Sequence, residues 1–156
     1  MPQIQLYELG PFESAAIATA IADLVPEKRL VARPGTWSRA LHDQWVLFTL
    51  TEMEAWAWCA ELNSSDFVLP KEHHFPAILP QSEAVYGRGA AALDAALADT
   101  PFLVEGRFTV TDIIVGHTVS FGEELSWIDE FPNLLGYLDR LLERQHCTLV
   151  RHRRPQ

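Results

Sequence analysis

At 156 residues, 48% of them apolar, the chain is long enough to bury a single core and too hydrophobic to be disordered. Its net charge of −9 argues against nucleic acid as a partner, because phosphate binding needs a concentrated basic face. Two cysteines, Cys59 and Cys147, form no framework, no signal peptide precedes them, and no apolar run approaches the ~20 residues of a membrane helix, so a reducing cytoplasm is expected.

Residues 2–9 partly alternate apolar and polar, as a short strand or hairpin does, and Gly10-Pro11 marks a turn. Glu13-Ser14 opens a short helix from Ala15 to Val25, stopped by Pro26, with Ser14 placed to cap it. Residues 26–35 read as a linker. Thr36 then caps a long helix from Trp37 to about Leu62. That helix carries two apolar stripes. Leu41, Trp45, Phe48, Ala55 and Cys59 form one; Val46, Leu47, Leu50, Met53 and Trp58 form the other. Two apolar faces predict one turned to the core and one to another occupant. Trp45, Phe48 and His42 are candidates for an apolar pocket. His42, a polar position near the helix start, faces either a cleft or solvent.

Residues 63–81 form an irregular loop with three prolines. His73 and His74 within it have no third ligand at metal spacing, so they are read as solvated and no metal site is expected. An alanine-rich helix follows from Ser82 to about Ala98, in which Gly87 and Gly89 weaken the helix unless they permit close contact. Thr109 and Asp112 have the spacing of a capping box, with Phe108 before the cap and Ile113 inside the helix placed for a hydrophobic staple. The run Ile113–Phe121 is apolar on nearly every side, which predicts a central helix with others around it. His117 on that helix reads as a hydrogen-bonded core histidine, and Asp112 as a structural rather than catalytic carboxylate. Pro132 sits at a first helical turn, and the leucines after it form a stripe opposite Asp139, Arg140, Glu143 and Arg144. Arg151-His152-Arg153-Arg154 reads as a solvated tail.

The run FLVEGRFTVTDIIVGHTVSF, followed by FPNLLGYLDRLLERQHC, resembles the C-terminal half of cytosolic glutathione S-transferases. In that family a Ser/Thr-x-x-Asp box caps the central helix. A later helix reads roughly Pro-Asn-Leu-x-x-Tyr-Leu-x-Arg-Leu, matched here by Pro132, Asn133, Leu134, Tyr137, Leu138, Arg140 and Leu141. The resemblance implies a mainly α fold: a transferase C-terminal-like helical bundle over residues 31–156. Residues 1–30, with a short β segment, would be a remnant of the family's thioredoxin-like domain.

Met1-Pro2 and Glu13-Ser14-Ala15-Ala16-Ile17 fall on that domain's Val-Pro strand and Glu/Gln-Ser-x-Ala-Ile helix start. By this resemblance Met1, Pro2, Glu13 and Ser14 would hold glutathione, since a helix N-terminus favours a carboxylate. Taken alone, Ser14 is equally a helix cap and Glu13 a first-turn acid. The family's first β-α-β unit, which carries its thiol-activating Tyr, Ser or Cys, would lie upstream of Met1, so no catalytic residue is assigned. Two functions follow as expectations: glutathione conjugation to an apolar electrophile, or a non-catalytic dimerising module. A homodimer is expected through the Trp37–Leu62 helix, the N-terminal strand, or both.

Overall fold

The computed structural model describes residues 14–147 and Leu149. Among them the architecture is mainly α, with six α-helices and no strand: α1 (Ser14–Asp23), α2 (Trp37–Thr49), α3 (Ala55–Leu62), α4 (Leu79–Ala96), α5 (Val110–Glu124) and α6 (Pro132–Leu142). The expected N-terminal β segment lies outside the described residues.

α2 and α3 are the single long helix expected from the sequence, interrupted by one turn of wider, π-type helix at Leu50–Glu54. Thr36 caps α2 by accepting from the Arg39 N–H at 3.2 Å. α4 begins at Leu79, three residues earlier than Ser82, because Pro80 falls in the first turn, where its missing N–H costs no hydrogen bond. Gly89 lies against Met53 and the backbone of Glu52, so here the glycine does permit close helix contact, whereas Gly87 faces open space. The loop histidines differ from one another. His73 is exposed, but the His74 ring is packed into the loop, 2.7 Å from the Leu69 carbonyl, so it is not solvated.

α5 runs through the middle. Val115 and Val119 are fully buried with Met53, Tyr86 and Leu93 on one side and Leu134, Tyr137, Leu138 and Leu141 of α6 on the other. Gly122 is required where α4 meets α5, because a Cβ there would collide with the Tyr86 ring, whose hydroxyl donates to the Thr118 carbonyl at 2.9 Å. α6 is capped from another element: one Asp94 oxygen accepts from the N–H groups of Asn133 (2.8 Å) and Leu134 (3.0 Å), filling the donor sites that a helix start leaves open. A smaller second core of Ala15, Ala22, Val46, Val110 and Ile114 fastens α1 to α2 and α5. The second stripe of the long helix is thus partly covered within the chain. Val46 and Leu50 meet α1, Met53 joins the main core, and Leu47 stays 62% exposed.

The capping box closes as expected and does more than cap. Oδ2 of Asp112 accepts from the Thr109 N–H (2.7 Å) and hydroxyl (3.1 Å), while Oδ1 accepts from the Leu103 N–H (3.3 Å) and the Tyr137 hydroxyl (3.1 Å). Burial pushes this carboxyl above the usual range, against the opposing pull of the Thr109 and Leu103 N–H groups. Thr109→Ala should cost about 0.5–2 kcal/mol. Asp112→Ala should cost about 3 kcal/mol or more, since of the four buried donors only the Tyr137 hydroxyl keeps another acceptor, the residue 112 carbonyl at 3.4 Å. Denaturant melts measure both, and an Asp112→Ala protein as stable as the parent would contradict this account.

Candidate functional site

A cavity of about 550 Å³ opens between α1, the π-type turn, α5 and the chain after α6. α5 contributes Asp112, Ile113, Ile114 and His117; α1 contributes Ala15 and Ala18; Leu50 and Glu54 come from the π-type turn. Phe108, Leu141, Cys147 and Leu149 extend the apolar wall, and Arg144, Gln145 and His146 stand along it. The central helix is therefore not enclosed on all sides. Ile113 is 50% exposed, and His117, one turn on, is exposed on the same face. The expectation that His117 is a core histidine is thus corrected. Hydrophobicity all round a helix predicts burial but cannot say which face a domain leaves open.

Two carboxyl groups and a guanidinium line the cavity alongside His117, Gln145, His146 and Cys147. Asp112 is fully committed to the contacts described above. Arg144 lies over the Phe108 ring, its guanidinium carbon 3.4 Å from the centroid, so its charge is held by a cation–π contact. Glu54 is different. It is 3% exposed, its Oε2 accepts from the Thr118 hydroxyl at 2.6 Å, and its Oε1 has no partner among the described residues. The sequence reading missed Glu54. The available signal was its register: Leu50, Glu54 and Trp58 recur every four residues, which puts a carboxylate inside an apolar stripe.

Of the residues the sequence singled out, Met1, Pro2 and Glu13 lie outside the described residues, and Ser14 is the first residue of α1. Trp45 and Phe48 pack edge to face, centroids 5.7 Å apart, and both rest half-buried against the main core; neither is among the residues lining the cavity. His42 faces neither a cleft nor solvent. It is buried, with Nε2 3.0 Å from the Thr19 hydroxyl and Nδ1 2.9 Å from the Thr111 hydroxyl, linking α2 to α1 and α5. The Thr19 hydroxyl already donates to the Ala15 carbonyl at 2.8 Å, so it accepts from Nε2–H, which leaves Nδ1 to accept from Thr111. Among the described residues no cluster of His, Cys, Asp or Glu is placed to hold a metal ion, and no helix is long and apolar enough to cross a membrane.

With the fold and cavity defined, the chain can be set beside known proteins. No protein-family model matches the sequence, and no curated protein matches it either. Solved structures do. A glutathione S-transferase from Xanthobacter autotrophicus Py2 superposes with a TM-score of 0.75 at 22% identity, covering 88% of this chain and 65% of that one. A glutathione transferase from Methylococcus capsulatus strain Bath gives 0.69 at 25% identity, covering 85% and 62%. Ure2p5 from Phanerochaete chrysosporium, cocrystallised with 1-(S-glutathionyl)-2,4-dinitrobenzene, gives 0.74 at 18% identity, covering 89% and 64%. The chain has the fold of the C-terminal helical domain of glutathione S-transferases. It spans about three fifths of the length of the structures it matches.

Burial lowers the His42 pKa below its ordinary value of 6.5, outweighing the opposing pull of Asp43. A depressed folded-state value means that the native protein binds fewer protons than the unfolded chain. His42 thus contributes stability that is present above pH 6.5 and lost as the pH falls through the folded value. Unfolding free energy should therefore decline on acidification below pH 6.5, and the decline should be shallower in His42→Gln. Equal slopes in urea melts from pH 7.5 to 5 would contradict this.

Proposed function

We propose that this chain is the helical part of a glutathione transferase-like protein, which brings glutathione together with an apolar electrophile. The observation that carries the reading is its superposition on solved glutathione transferases over nearly nine tenths of its length. In this reading residues 1–30 are a remnant of a thioredoxin-like domain and 31–156 the helical domain. Met1, Pro2, Glu13 and Ser14 meet glutathione. The apolar molecule is assigned to the cavity between α1 and α5, in place of Trp45, Phe48 and His42, because those three side chains pack into the protein.

A second reading, a dimerising module without catalysis, draws support from the outer side of α2, where Trp37 is 76% and Leu47 62% exposed. A homodimer fits both readings and forms through α2. Sedimentation at micromolar concentration should give a dimer, and Leu47→Glu should shift it toward monomer; a monomer in the parent protein would refute this assembly.

Attack by the glutathione sulfur needs the thiolate, so some group must stabilise that anion as it forms. Contacts to the peptide's backbone and γ-glutamyl carboxylate bind ground and transition states alike, and they do not speed the chemical step. Residues 1–156 alone should therefore show no conjugation of 1-chloro-2,4-dinitrobenzene above the uncatalysed rate, and calorimetric titration with glutathione should give weak or no binding. Robust turnover that vanishes in Ser14→Ala would overturn this and show a complete site within the chain.

A further inference from the structure

Resting on the reading of the α1–α5 cavity as the seat of an apolar molecule, we propose that its occupant carries one hydrogen-bond-donating head, and that Oε1 of Glu54 accepts from it. The apolar wall sets the body of the ligand. Ala18, Leu50, Ile113 and Ile114 offer no polar atom from their side chains, and about 550 Å³ suits a molecule of one or two fused rings. The head is set by what the two buried carboxyl groups have left to offer. Asp112 lines the same cavity, but its two oxygens already take four hydrogen bonds. Glu54 has one oxygen engaged by Thr118 and the other buried without a partner among the described residues.

A buried carboxylate oxygen without a donor is costly, and a ligand that supplies the donor removes that cost. A carboxyl oxygen left without a partner accepts, so the matching head donates: a hydroxyl or an ammonium. Glu54 is also held in place for this task. It sits in the π-type turn between α2 and α3, and the short 2.6 Å bond from Thr118 fixes its carboxylate against α5. A ligand with an acceptor head, such as an ether or a ketone, would leave Oε1 unpaired and face it with a like partial charge.

The test uses the full chain near pH 7 and three naphthalenes of similar size, with binding read by ligand-observed NMR. 2-Naphthol carries a hydroxyl, 2-(aminomethyl)naphthalene an ammonium, and 2-methoxynaphthalene no donor. At least one of the first two should bind about tenfold or more tightly than the ether; which one is tighter identifies the head as hydroxyl or ammonium. In Glu54→Gln that preference should shrink to under about threefold. Ala18→Phe, which fills the cavity from α1 without altering Glu54, should abolish binding of all three. Equal binding of the three compounds, lost in Ala18→Phe, would overturn donor recognition while leaving the apolar cavity reading intact. Absence of binding by any of them, or binding unchanged in Ala18→Phe, would overturn both. If Glu54→Gln does not fold, the comparison of naphthol, amine and ether on the parent protein decides alone.

Discussion

The carboxylate of Asp112 is the constraint on which the rest of the fold depends. Through four hydrogen bonds it joins the start of α5, the connection before it and the middle of α6. Each donor is buried, and all but the Tyr137 hydroxyl would otherwise be unsatisfied, so the group acts as a junction rather than as a cap alone. It fixes the depth at which α5 enters the bundle. Once that depth is set, Val115 and Val119 face the main core, and Ile113 and His117 face away from it.

The open face is then a consequence of helix geometry. Residues 113 and 117 share a stripe because they are four apart, and α1 meets the cavity on that side with only small residues, Ala15 and Ala18. Two further polar links hold the surroundings of the cavity to α5: His42 to Thr111 from α2, and Glu54 to Thr118 from the π-type turn. The first has both ring nitrogens engaged. The second keeps one oxygen without a partner among the described residues, and on that asymmetry rests the proposed preference of the cavity.

Much of this fold was legible in the sequence because its signals are local. The capping box needs only Thr109 and Asp112 three residues apart, and Pro132 marks the start of α6 by its own missing N–H. The long helix was legible too, but not its π-type turn, which no residue between Leu50 and Glu54 announces. The site was far less legible. His42 looks like an accessible polar residue until Thr19 and Thr111, 23 and 69 residues away, close on its two nitrogens. Periodicity identified α5 as apolar but could not assign Ile113 and His117 to an uncovered side. Trp45 and Phe48 drew attention by size, yet an aromatic stripe gives the same pattern whether it faces a ligand or a core.

The weakest wall of the cavity follows from the same reasoning. α1 is fastened through a small core in which it contributes chiefly alanines, and each alanine removes little apolar area from water. Its other ties are the Thr19–His42 contact and the two-pronged pairing of Arg39 with Asp23, at 2.9 and 3.0 Å, on the exposed side. The opposite wall, α5, is held by buried hydrogen bonds to the carboxyl groups of both Asp112 and Glu54. Stability is therefore distributed unequally across the cavity. Of the two walls, α5 is the more firmly held, and local opening at α1 costs less.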